Sequence, residues 1–471
     1  MLIAGIFALF YLLGVASAFH AVIYVRTSQG AIAWALSLLS FPFIAVPAYW
    51  VFGRRKFEGY VLARKRVLED DDQVPANLEN SIKPYLLPAE QRRSKVHAAE
   101  LMAQVPLVIG NKCELLIDGN PTFDSIFAGI QDARHYVLVQ FYVVRDDELG
   151  TQLQDILIDT ARRGVKVFFL YDELGSVALS NAYVEQLRDA GVIVHPFNTR
   201  KGLHNWFQVN FRNHRKVVVV DGQTAWIGGH NVGDEYLGKD ERFGHWRDTH
   251  VKISGPAALA AQVSFMEDFR WATDSFPDVS WEVKQRYDEE QPVLIVPTGP
   301  ADDLDTALLM FTHIINSAEN RIWISTPYFV PDATVILALQ LARLRNVDIR
   351  IIIPQVPDSL LTYFAAYSFF EELASSGVQF YRYQSGFIHE KVLLVDDSLA
   401  AIGTANFDNR SFRLNFEITA LIGGQDFADD VEAMFEQDFS HCTLMQGDEY
   451  ESKSIWFKFA VNASRLMSPV L

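Results

Sequence analysis

Cysteine is nearly absent from this chain of 471 residues, and its basic residues are outnumbered by acidic ones. Two cysteines, Cys113 and Cys442, cannot build a disulfide framework or a tetrahedral thiolate zinc site, which favours a reducing compartment. Lys and Arg total 41 against 58 Asp and Glu, and the net charge of -17 has the wrong sign for electrostatic binding of nucleic acid. We therefore expect no nucleic-acid partner, and a nonspecific nuclease is disfavoured.

Charged residues are missing from two apolar stretches at the start of the chain, residues 1–25 and 31–52. Each has about the length, roughly 20 residues, that a helix needs to cross a bilayer. Because residues 26–30 are too few for a domain, we predict a two-helix transmembrane hairpin over residues 1–56. A cleaved signal peptide and buried core helices are the alternatives. The first lacks a basic segment before Arg26, and the second would usually show a polar face.

The basic residues around this hairpin predict its orientation. The connection between the helices offers only Arg26, whereas six basic residues follow the second helix: Arg54, Arg55, Lys56, Arg64, Lys65 and Arg66. By the positive-inside rule, the long remainder of the chain and both termini then lie in the cytoplasm.

The remainder is long enough for more than one folding unit, and its pattern is α/β. Residues 57–105 are rich in acidic residues and prolines and are predicted to form a linker. Two similar halves follow, over residues 106–292 and 293–445, and residues 446–471 are predicted to form an amphipathic tail. Each half should contain a strand, a helix and a strand: 136–142, a helix ending near 163 and 165–171 in the first, and 321–325, 333–345 and 347–353 in the second.

The two halves share a motif of histidine, lysine and aspartate with the spacing H-x-K-x4-D. It consists of His214, Lys216 and Asp221 in the first half, and recurs 175 residues later as His389, Lys391 and Asp396. Each copy is followed at the same spacing by a glycine and an asparagine, which are Gly228 and Asn231, then Gly403 and Asn406. A single H-x-K would more often mark an exposed strand edge, but two copies in register are not expected by chance.

Strand periodicity predicts the roles within the motif. His214 and Lys216 are two residues apart and project from the same face, whereas Asp221 points away. Asp221 is therefore expected to organise the following turn or to pair with a neighbour, and the same holds for Asp396. Two such sets supply two imidazoles, two ammonium groups and two amides to one phosphodiester. One histidine can attack phosphorus and the other can protonate the leaving oxygen, while the lysines stabilise the nonbridging oxygens. This chemistry requires no metal and no cofactor.

These paired motifs resemble those of the phospholipase D superfamily. Further segments look like bacterial cardiolipin synthases over nearly the whole chain: 211–216, 228–231, 234–236, 246–249, 326–331, 403–417 and 468–471. The resemblance implies two pseudo-twofold-related α/β/α halves that form one catalytic unit, preceded by the transmembrane hairpin. It implies catalytic roles for the histidine, lysine and aspartate of both motifs, and substrate binding by Asn231 and Asn406.

The resemblance also implies a carboxylate that orients the catalytic histidine. Glu417, 11 residues after Asn406, matches the usual position, whereas Asp248 in the first half departs from it in spacing. The near symmetry of the site leaves the nucleophile open on sequence alone. By analogy with the superfamily, His214 is favoured as the nucleophile and His389 as the general acid and base.

The implied activity is a phosphatidyltransferase at a bacterial inner membrane. A phosphatidyl group would move between two phosphatidylglycerol molecules, giving cardiolipin and glycerol through a phosphohistidine. Phosphatidylglycerol, cardiolipin and the membrane are the expected partners, and the oligomeric state stays open. The alternatives are a phospholipase D that releases phosphatidic acid and a membrane-tethered phosphodiesterase or nuclease. A noncatalytic scaffold would be expected to have lost a histidine, and both are present.

Overall fold

The computed structural model describes residues 2–54, 56–62, 73–88, 94–198, 208, 210–446 and 449–471. Four of the basic residues used to predict the orientation lie outside these ranges, namely Arg55, Arg64, Lys65 and Arg66. Arg54 and Lys56 lie within them.

Short strands of β-branched and aromatic residues make up both halves. The first half contains β1 (Val108–Ile117), β2 (Tyr136–Phe141), β3 (Lys166–Asp172), β4 (Ile193–Phe197), β5 (Arg212–Asn213), β6 (Val217–Val220), β7 (Thr224–Gly228), β8 (Trp246–Arg247) and β9 (Thr249–Ser254). The second contains β10 (Gln291–Thr298), β11 (Arg321–Ser325), β12 (Phe329–Val330), β13 (Asp348–Pro354), β14 (Gln379–Tyr383), β15 (Phe387–Ile388), β16 (Val392–Val395), β17 (Leu399–Gly403), β18 (Phe407–Asp408), β19 (Asn415–Gly423) and β20 (Cys442–Leu444). The four valines of β6 are all buried, as a central strand requires.

Most of these strands join one mixed sheet whose order is mirrored about its centre. From the centre outwards, the first half runs β1-β9-β7-β6-β2-β3-β4 and the second runs β10-β19-β17-β16-β11-β13-β14-β20. Strands β1 and β10 pair antiparallel and join the halves. In both halves the inner pairs are antiparallel, and the two pairs that follow β2 or β11 are parallel. The prediction of an α/β fold is confirmed.

Helices connect the strands and cover the sheet. They are α1 (Leu2–Tyr24), α2 (Ser28–Ser40), α3 (Pro42–Phe52), α4 (Gln73–Ile82), α5 (Ser94–Ala103), α6 (Gly119–Asp132), α7 (Glu148–Arg162), α8 (Asn181–Asp189), α9 (Ala258–Thr273), α10 (Thr306–Ser317), α11 (Ala333–Leu344), α12 (Leu360–Ala374), α13 (Asn409–Arg413), α14 (Gln425–Ser440) and α15 (Ile455–Arg465). Successive residues of β2 enter different apolar layers: Val137 packs in a cluster that includes α6, α7 and α8, and Leu138 in one that includes α9. Period-2 alternation therefore places helices on both faces of the first half.

The second apolar stretch does not form the single helix that its length predicts. Helix α2 ends at Ser40 and α3 begins at Pro42, because Phe41 has a nonhelical backbone (φ −133°, ψ 58°) and proline has no N–H to continue a helix. At 13 and 11 residues, both helices are shorter than the roughly 20 residues that cross a bilayer. Within the described ranges one helix, Ala4–Tyr24, is long and apolar enough to span a membrane. The two-helix hairpin is not found in the predicted form.

Contacts with α1 show that α3 runs parallel to it. The ring of Phe43, at the start of α3, lies 4.7 Å from the ring of Phe7. Near the end of α3, the indole N–H of Trp50 donates to the hydroxyl of Ser17 at 3.1 Å. Helix α2 runs antiparallel to both. The start of α2 and the end of α3 therefore lie beside the C-terminal end of α1.

That shared end lies against the two α/β halves, residues 106–445, which the motifs predict to be the catalytic part of the chain. Arg26 forms an ion pair with Asp305, which directly precedes α10, and Lys56 Nζ lies 3.4 Å from Asp303 Oδ1. The predicted hairpin places Arg26 on the far side of the membrane, about 30 Å from the catalytic part. The contact with Asp305 contradicts that placement.

The segment after α3 packs into the catalytic part. Phe57 and Tyr60 are buried in an aromatic cluster with Phe211, Trp271 and Phe416. The ring of Phe57 stacks on that of Phe211, with centroids 5.5 Å apart. The beginning of the predicted linker is therefore part of the core.

Candidate active site

Two pairs of short strands bring the motifs together across the boundary between the halves. Strand β5 pairs in parallel with the start of β19, and β15 pairs in parallel with β8. The backbone N–H of His214, directly after β5, donates to the carbonyl of Phe416 at 2.9 Å. The N–H of His389, directly after β15, donates to the carbonyl of Arg247 at 2.7 Å. Each histidine is thus held beside a strand of the other half.

Glu417 of the second half orients His214 of the first half. The Nδ1 of His214 lies 2.9 and 3.1 Å from the two carboxylate oxygens of Glu417. Burial favours the neutral carboxyl group, but the charges of His214 and Lys216 hold the pKa of Glu417 below its usual value. An ionised Glu417 accepts a hydrogen bond from Nδ1–H of His214, which keeps the proton on Nδ1 and leaves the Nε2 lone pair available.

Asp248 of the first half occupies the corresponding position beside His389. Its Oδ2 lies 2.7 Å from Nδ1 of His389, and its Oδ1 accepts from the N–H of Thr249 at 2.8 Å. Burial lowers the pKa of His389 well below its ordinary value, and the nearby Lys391 and Lys216 act in the same direction. The free protein therefore holds His389 as a neutral imidazole.

The two motif lysines are buried beneath the histidines. Lys216 Nζ donates to the carbonyl of His214 at 2.7 Å, and Lys391 Nζ lies 2.8 Å from Nδ1 of His389. Burial lowers the pKa of Lys391 to about 8, and burial also lowers that of Lys216 well below its ordinary value. A bound anion would oppose both shifts, because it favours the charged ammonium groups.

Both asparagines face the same space as the histidines. The side-chain oxygen of Asn231 accepts from the N–H of Val143 at 3.0 Å, which leaves its NH₂ group toward other partners. The backbone N–H of Asn406 donates to the Ser411 hydroxyl at 3.0 Å, and its buried side-chain oxygen has no partner among the described residues. The predicted substrate-binding residues are therefore in place to contact an anion.

Asp221 and Asp396 lie at the opposite ends of their strands, away from the histidines. Each has a φ of 51° and accepts backbone N–H groups that begin the neighbouring strand. Asp221 accepts from His135 at 2.8 Å, and Asp396 accepts from Arg321 at 3.0 Å. Both carboxylates bind backbone N–H groups, which supports a structural role rather than the catalytic role that the resemblance implies. The turn-organising role that strand periodicity predicts agrees with these contacts.

The histidines and asparagines line a cleft of about 530 Å³ between the halves. The ring of Tyr142 lies 5.0 Å from that of His214, and the ring of Trp246 lies 5.1 Å from that of His389. Other residues on its walls are Val143, Arg212, Glu235, Tyr236, Phe243, Tyr328, Asp358, Ser359, Thr362, Asp408, Arg410, Asn415 and Leu471. Both histidines and both asparagines therefore face one cleft, whose walls are mainly aromatic and polar.

Comparison with known proteins identifies the family. A family described as "Cardiolipin synthase, PLD-like domain" matches residues 126–261 and 311–439, one match in each half. Cardiolipin synthase A of Pseudomonas putida (strain W619) is 47% identical, and the aligned region covers 99% of this chain and 98% of that protein. Cardiolipin synthase A of Pseudomonas aeruginosa (strain LESB58) is 45% identical over 98% of this chain and 94% of that protein.

The chain belongs to this cardiolipin synthase family. Among solved structures, the phosphatidylserine synthase of Haemophilus influenzae Rd KW20 is similar, with a TM-score of 0.62 over 80% of this chain and 100% of that one. At 18% identity, this likeness concerns the fold alone. It agrees with the two-half architecture of the sheet.

In this member of the cardiolipin synthase family, two buried ionic networks support the motifs, and sequence reasoning missed both. Arg215, between the motif residues of the first half, lies 3.0 Å from Asp268. In the second half the equivalent residue is Glu390, which lies 2.7 Å from Arg247. The sequence did contain a signal for these networks. The residue between the histidine and the lysine is basic in the first motif, Arg215, and acidic in the second, Glu390.

The carboxylate partners cross between the halves, which the spacing also did not show. Glu417 follows Asn406 in sequence but contacts His214, and Asp248 follows Asn231 but contacts His389. The histidine-orienting positions were predicted, but their assignment to individual histidines depends on the β5–β19 and β8–β15 pairings.

Proposed function

We propose that the protein transfers a phosphatidyl group from one phosphatidylglycerol molecule to another, giving cardiolipin and glycerol. The observation that carries this proposal is the pair of histidines, His214 and His389, each oriented by a buried carboxylate and facing one cleft above two buried lysines. Membership of the cardiolipin synthase family supports the same substrates.

In the first step, Nε2 of His214 attacks the phosphorus of the donor lipid. The bond from phosphorus to the glycerol oxygen breaks, His389 gives that oxygen a proton, and glycerol leaves. In the second step, a hydroxyl of the acceptor lipid gives its proton to His389 and attacks the phosphohistidine. Cardiolipin leaves and His214 is regenerated.

The lysines and asparagines stabilise charge on the nonbridging oxygens during both steps. Lys216 and Lys391 supply positive charge from below, and Asn231 and Asn406 supply amide groups from the walls. Burial and the charges of Lys391 and Lys216 both disfavour the protonated form of His389 in the free protein, and the anionic phosphodiester offsets the charges of the lysines. Substrate binding therefore raises the pKa of His389 toward the protonated state that a general acid needs.

Product analysis tests this proposal against hydrolysis. Purified protein given phosphatidylglycerol should form cardiolipin and glycerol, and His214→Ala and His389→Ala should each abolish turnover. Substantial activity in either variant would contradict the paired-histidine mechanism. Phosphatidic acid as the main product would instead favour a phospholipase D, and release of labelled nucleotides from DNA would favour a nuclease.

The protein's location is proposed to be the bacterial inner membrane, with the catalytic part in the cytoplasm. The basic residues Arg54 and Lys56 support this side, because they lie at the end of the helical bundle that meets the catalytic part. Helix α1 then spans the bilayer, whereas α2 and α3 enter it and return to the cytoplasmic side. This arrangement replaces the two-span hairpin and puts the start of α1 in the periplasm.

Exposed apolar side chains on α15 support a second contact with the same membrane. Ile455, Trp456 and Phe459 are 74%, 78% and 67% exposed, and Lys458 and Arg465 lie on the same short helix. An apolar face beside basic residues is typical of helices that lie in the interface of an anionic bilayer.

Single cysteines test the topology. In a Cys442→Ser background, where the remaining Cys113 is buried, Leu2→Cys should react with a membrane-impermeant maleimide in intact spheroplasts. Ser28→Cys should react only after the membrane is made permeable. The two-span hairpin predicts the reverse at both positions, so one labelling experiment separates the two topologies.

A further inference from the structure

Two arginines line the catalytic cleft without belonging to either motif. Arg212 and Arg410 lie on its walls together with His214. Arg212 precedes His214 by two residues, so the two side chains project from the same face, roughly 7 Å apart along the chain. Asn415 pairs with Arg212 in the β5–β19 register, and its side-chain NH₂ donates to the carboxylate of Glu417 at 3.1 Å. The arginine therefore occupies the next position along the wall from the imidazole.

Tyr142 connects this arginine pair to the reaction centre. Its ring lies 5.0 Å from the ring of His214, and Lys216 Nζ lies 5.4 Å from its centroid. Burial raises the pKa of Tyr142, and the charges of Arg212 and Arg410 oppose that rise. Both guanidinium charges thus act on the tyrosine that borders His214.

Arg410 is held in place by uncharged oxygens. Its Nε donates to the carbonyl of Val470 at 3.2 Å, and its two terminal nitrogens donate to the carbonyl and side-chain oxygens of Asn210 at 3.0 and 2.7 Å. A guanidinium has five N–H donors, so these three bonds leave two. Burial and the neighbouring charge of Arg212 both lower the pKa of Arg410, and this arrangement would be stabilised by an anion.

Acidic side chains also lie on the walls of the cleft. Glu235 and Asp358 line the cleft, and Asp358 accepts a hydrogen bond from Tyr328. A second anion would be repelled next to either carboxylate and attracted next to the arginines. Asp408 also lines the cleft near Arg410, and its Oδ1 accepts a hydrogen bond from the backbone N–H of Ser411 at 2.7 Å, which offsets part of its negative charge.

We infer that Arg212 and Arg410 form a second anion site, which binds the phosphodiester of the acceptor phosphatidylglycerol. The inference rests on the proposed function, in which the product carries two phosphodiesters bridged by the three carbons of one glycerol. When the donor phosphorus lies between His214 and His389, the acceptor phosphate must lie a short distance away. The arginine pair is the positively charged part of the wall at that distance.

This site should distinguish two kinds of acceptor molecule, one with a phosphate and one without. Phosphatidylglycerol carries a phosphate and needs the arginines, whereas free glycerol carries no charge and does not. The same enzyme should therefore perform two reactions with different dependence on the pair: formation of cardiolipin, and exchange of labelled glycerol into phosphatidylglycerol. Both use the same donor and the same histidines.

The test compares these two reactions in full-length protein, purified in detergent and assayed in mixed micelles of phosphatidylglycerol. Arg212→Gln and Arg410→Gln should lower cardiolipin formation by about 10- to 100-fold, the usual effect of losing charge-assisted hydrogen bonds, and should leave glycerol exchange within about twofold. Arg212→Lys keeps the charge and should recover much of the loss. Arg163→Gln is the matched control, because Arg163 also donates to backbone carbonyls but lies outside the cleft lining.

The ratio of cardiolipin formation to glycerol exchange decides the outcome. A ratio that falls in both glutamine variants and recovers in Arg212→Lys supports the acceptor site. An unchanged ratio, whether both reactions decline together or neither declines, overturns it. A wild-type protein that exchanges glycerol but forms no cardiolipin would instead contradict the proposed function, so the two failures are distinguishable.

Discussion

At the scale of single residues, the buried lysines predict the pH dependence of the reaction. Burial lowers the pKa of Lys391 to about 8 and that of Lys216 well below its ordinary value, so both ammonium groups lose their charge as the pH rises. Loss of either charge weakens stabilisation of the phosphoryl oxygens, and kcat/KM, which reports the free enzyme, should fall on the alkaline side. The bound phosphate favours the ammonium forms, so the corresponding fall in kcat should occur at higher pH.

Arginine substitutions test which groups titrate. In Lys391→Arg and in Lys216→Arg, one titrating ammonium is replaced by a guanidinium that stays charged. Each variant should be slower than wild type, but its alkaline fall in kcat/KM should be less steep by about one proton. Lys166→Arg, at an exposed lysine paired with Asp278, is the control and should leave the profile unchanged. An equally steep fall in all proteins would show that other groups control it.

The catalytic residues themselves were accessible from the sequence because they are repeated. The structure brings both histidines and both asparagines of the repeated motifs to one cleft, and a motif with a fixed spacing can be recognised without any knowledge of packing. Arg212, Arg410 and Asp268 were missed because they do not belong to the repeated motif. Their positions at the site depend on contacts between distant segments. Tyr60 illustrates this: it reaches Asp268 from 208 residues away, at 2.8 Å.

At the scale of elements, strand and helix positions followed from local periodicity. The predicted strand 321–325 matches β11, and the helix predicted at 333–345 is α11, Ala333–Leu344. The second apolar stretch was mispredicted, because hydropathy measures length but not continuity. Pro42 interrupts the helix, although its direct neighbours Phe41 and Phe43 are apolar.

Two truncations test whether the segment after α3 belongs to the anchor or to the catalytic core. Deletion of residues 1–56 retains Phe57 and Tyr60, and the product should fold, act on detergent-dispersed lipid and lose activity mainly on vesicles. Deletion of residues 1–62 removes both aromatic side chains from beside Phe416, which lies next to Glu417. It should lower stability by about 3–5 kcal/mol or more, the usual cost of deleting a buried aromatic side chain, and should reduce activity in detergent as well.

Thermal unfolding and detergent assays of the two truncated proteins provide the measurement. Equal melting temperatures and equal activities would show that residues 57–62 do not contribute to the core. An unfolded product of the shorter deletion would show that the helical bundle is itself required for folding, contrary to the separation proposed here.

At the scale of the whole molecule, the mirrored sheet explains why the halves act as one enzyme. Each half supplies a histidine and a lysine, but the carboxylate beside each histidine comes from the other half. The β5–β19 and β8–β15 pairs hold these crossed contacts in place. A half that folded alone would therefore contain a histidine without its orienting carboxylate and a carboxylate without the histidine that it contacts.

The crossed site also predicts that the reaction runs in both directions. A phosphatidyl group held on His214 is exchanged between two alcohols, and one phosphodiester replaces another, so the overall change in free energy is small. The concentration of glycerol should then determine the direction. Purified protein given cardiolipin and excess labelled glycerol should form labelled phosphatidylglycerol, with the label in the glycerol head group, and His389→Ala should give none.

Water competes with glycerol for the same phosphohistidine, which makes the product ratio informative. Aromatic side chains such as Tyr142, Trp246 and Phe243 line the cleft and restrict water around the phosphorus, so phosphatidic acid should remain a minor product. Raising the glycerol concentration should increase labelled phosphatidylglycerol at the expense of phosphatidic acid, because both arise from one intermediate. If phosphatidic acid dominates at every glycerol concentration, water is the natural acceptor and the protein is a hydrolase.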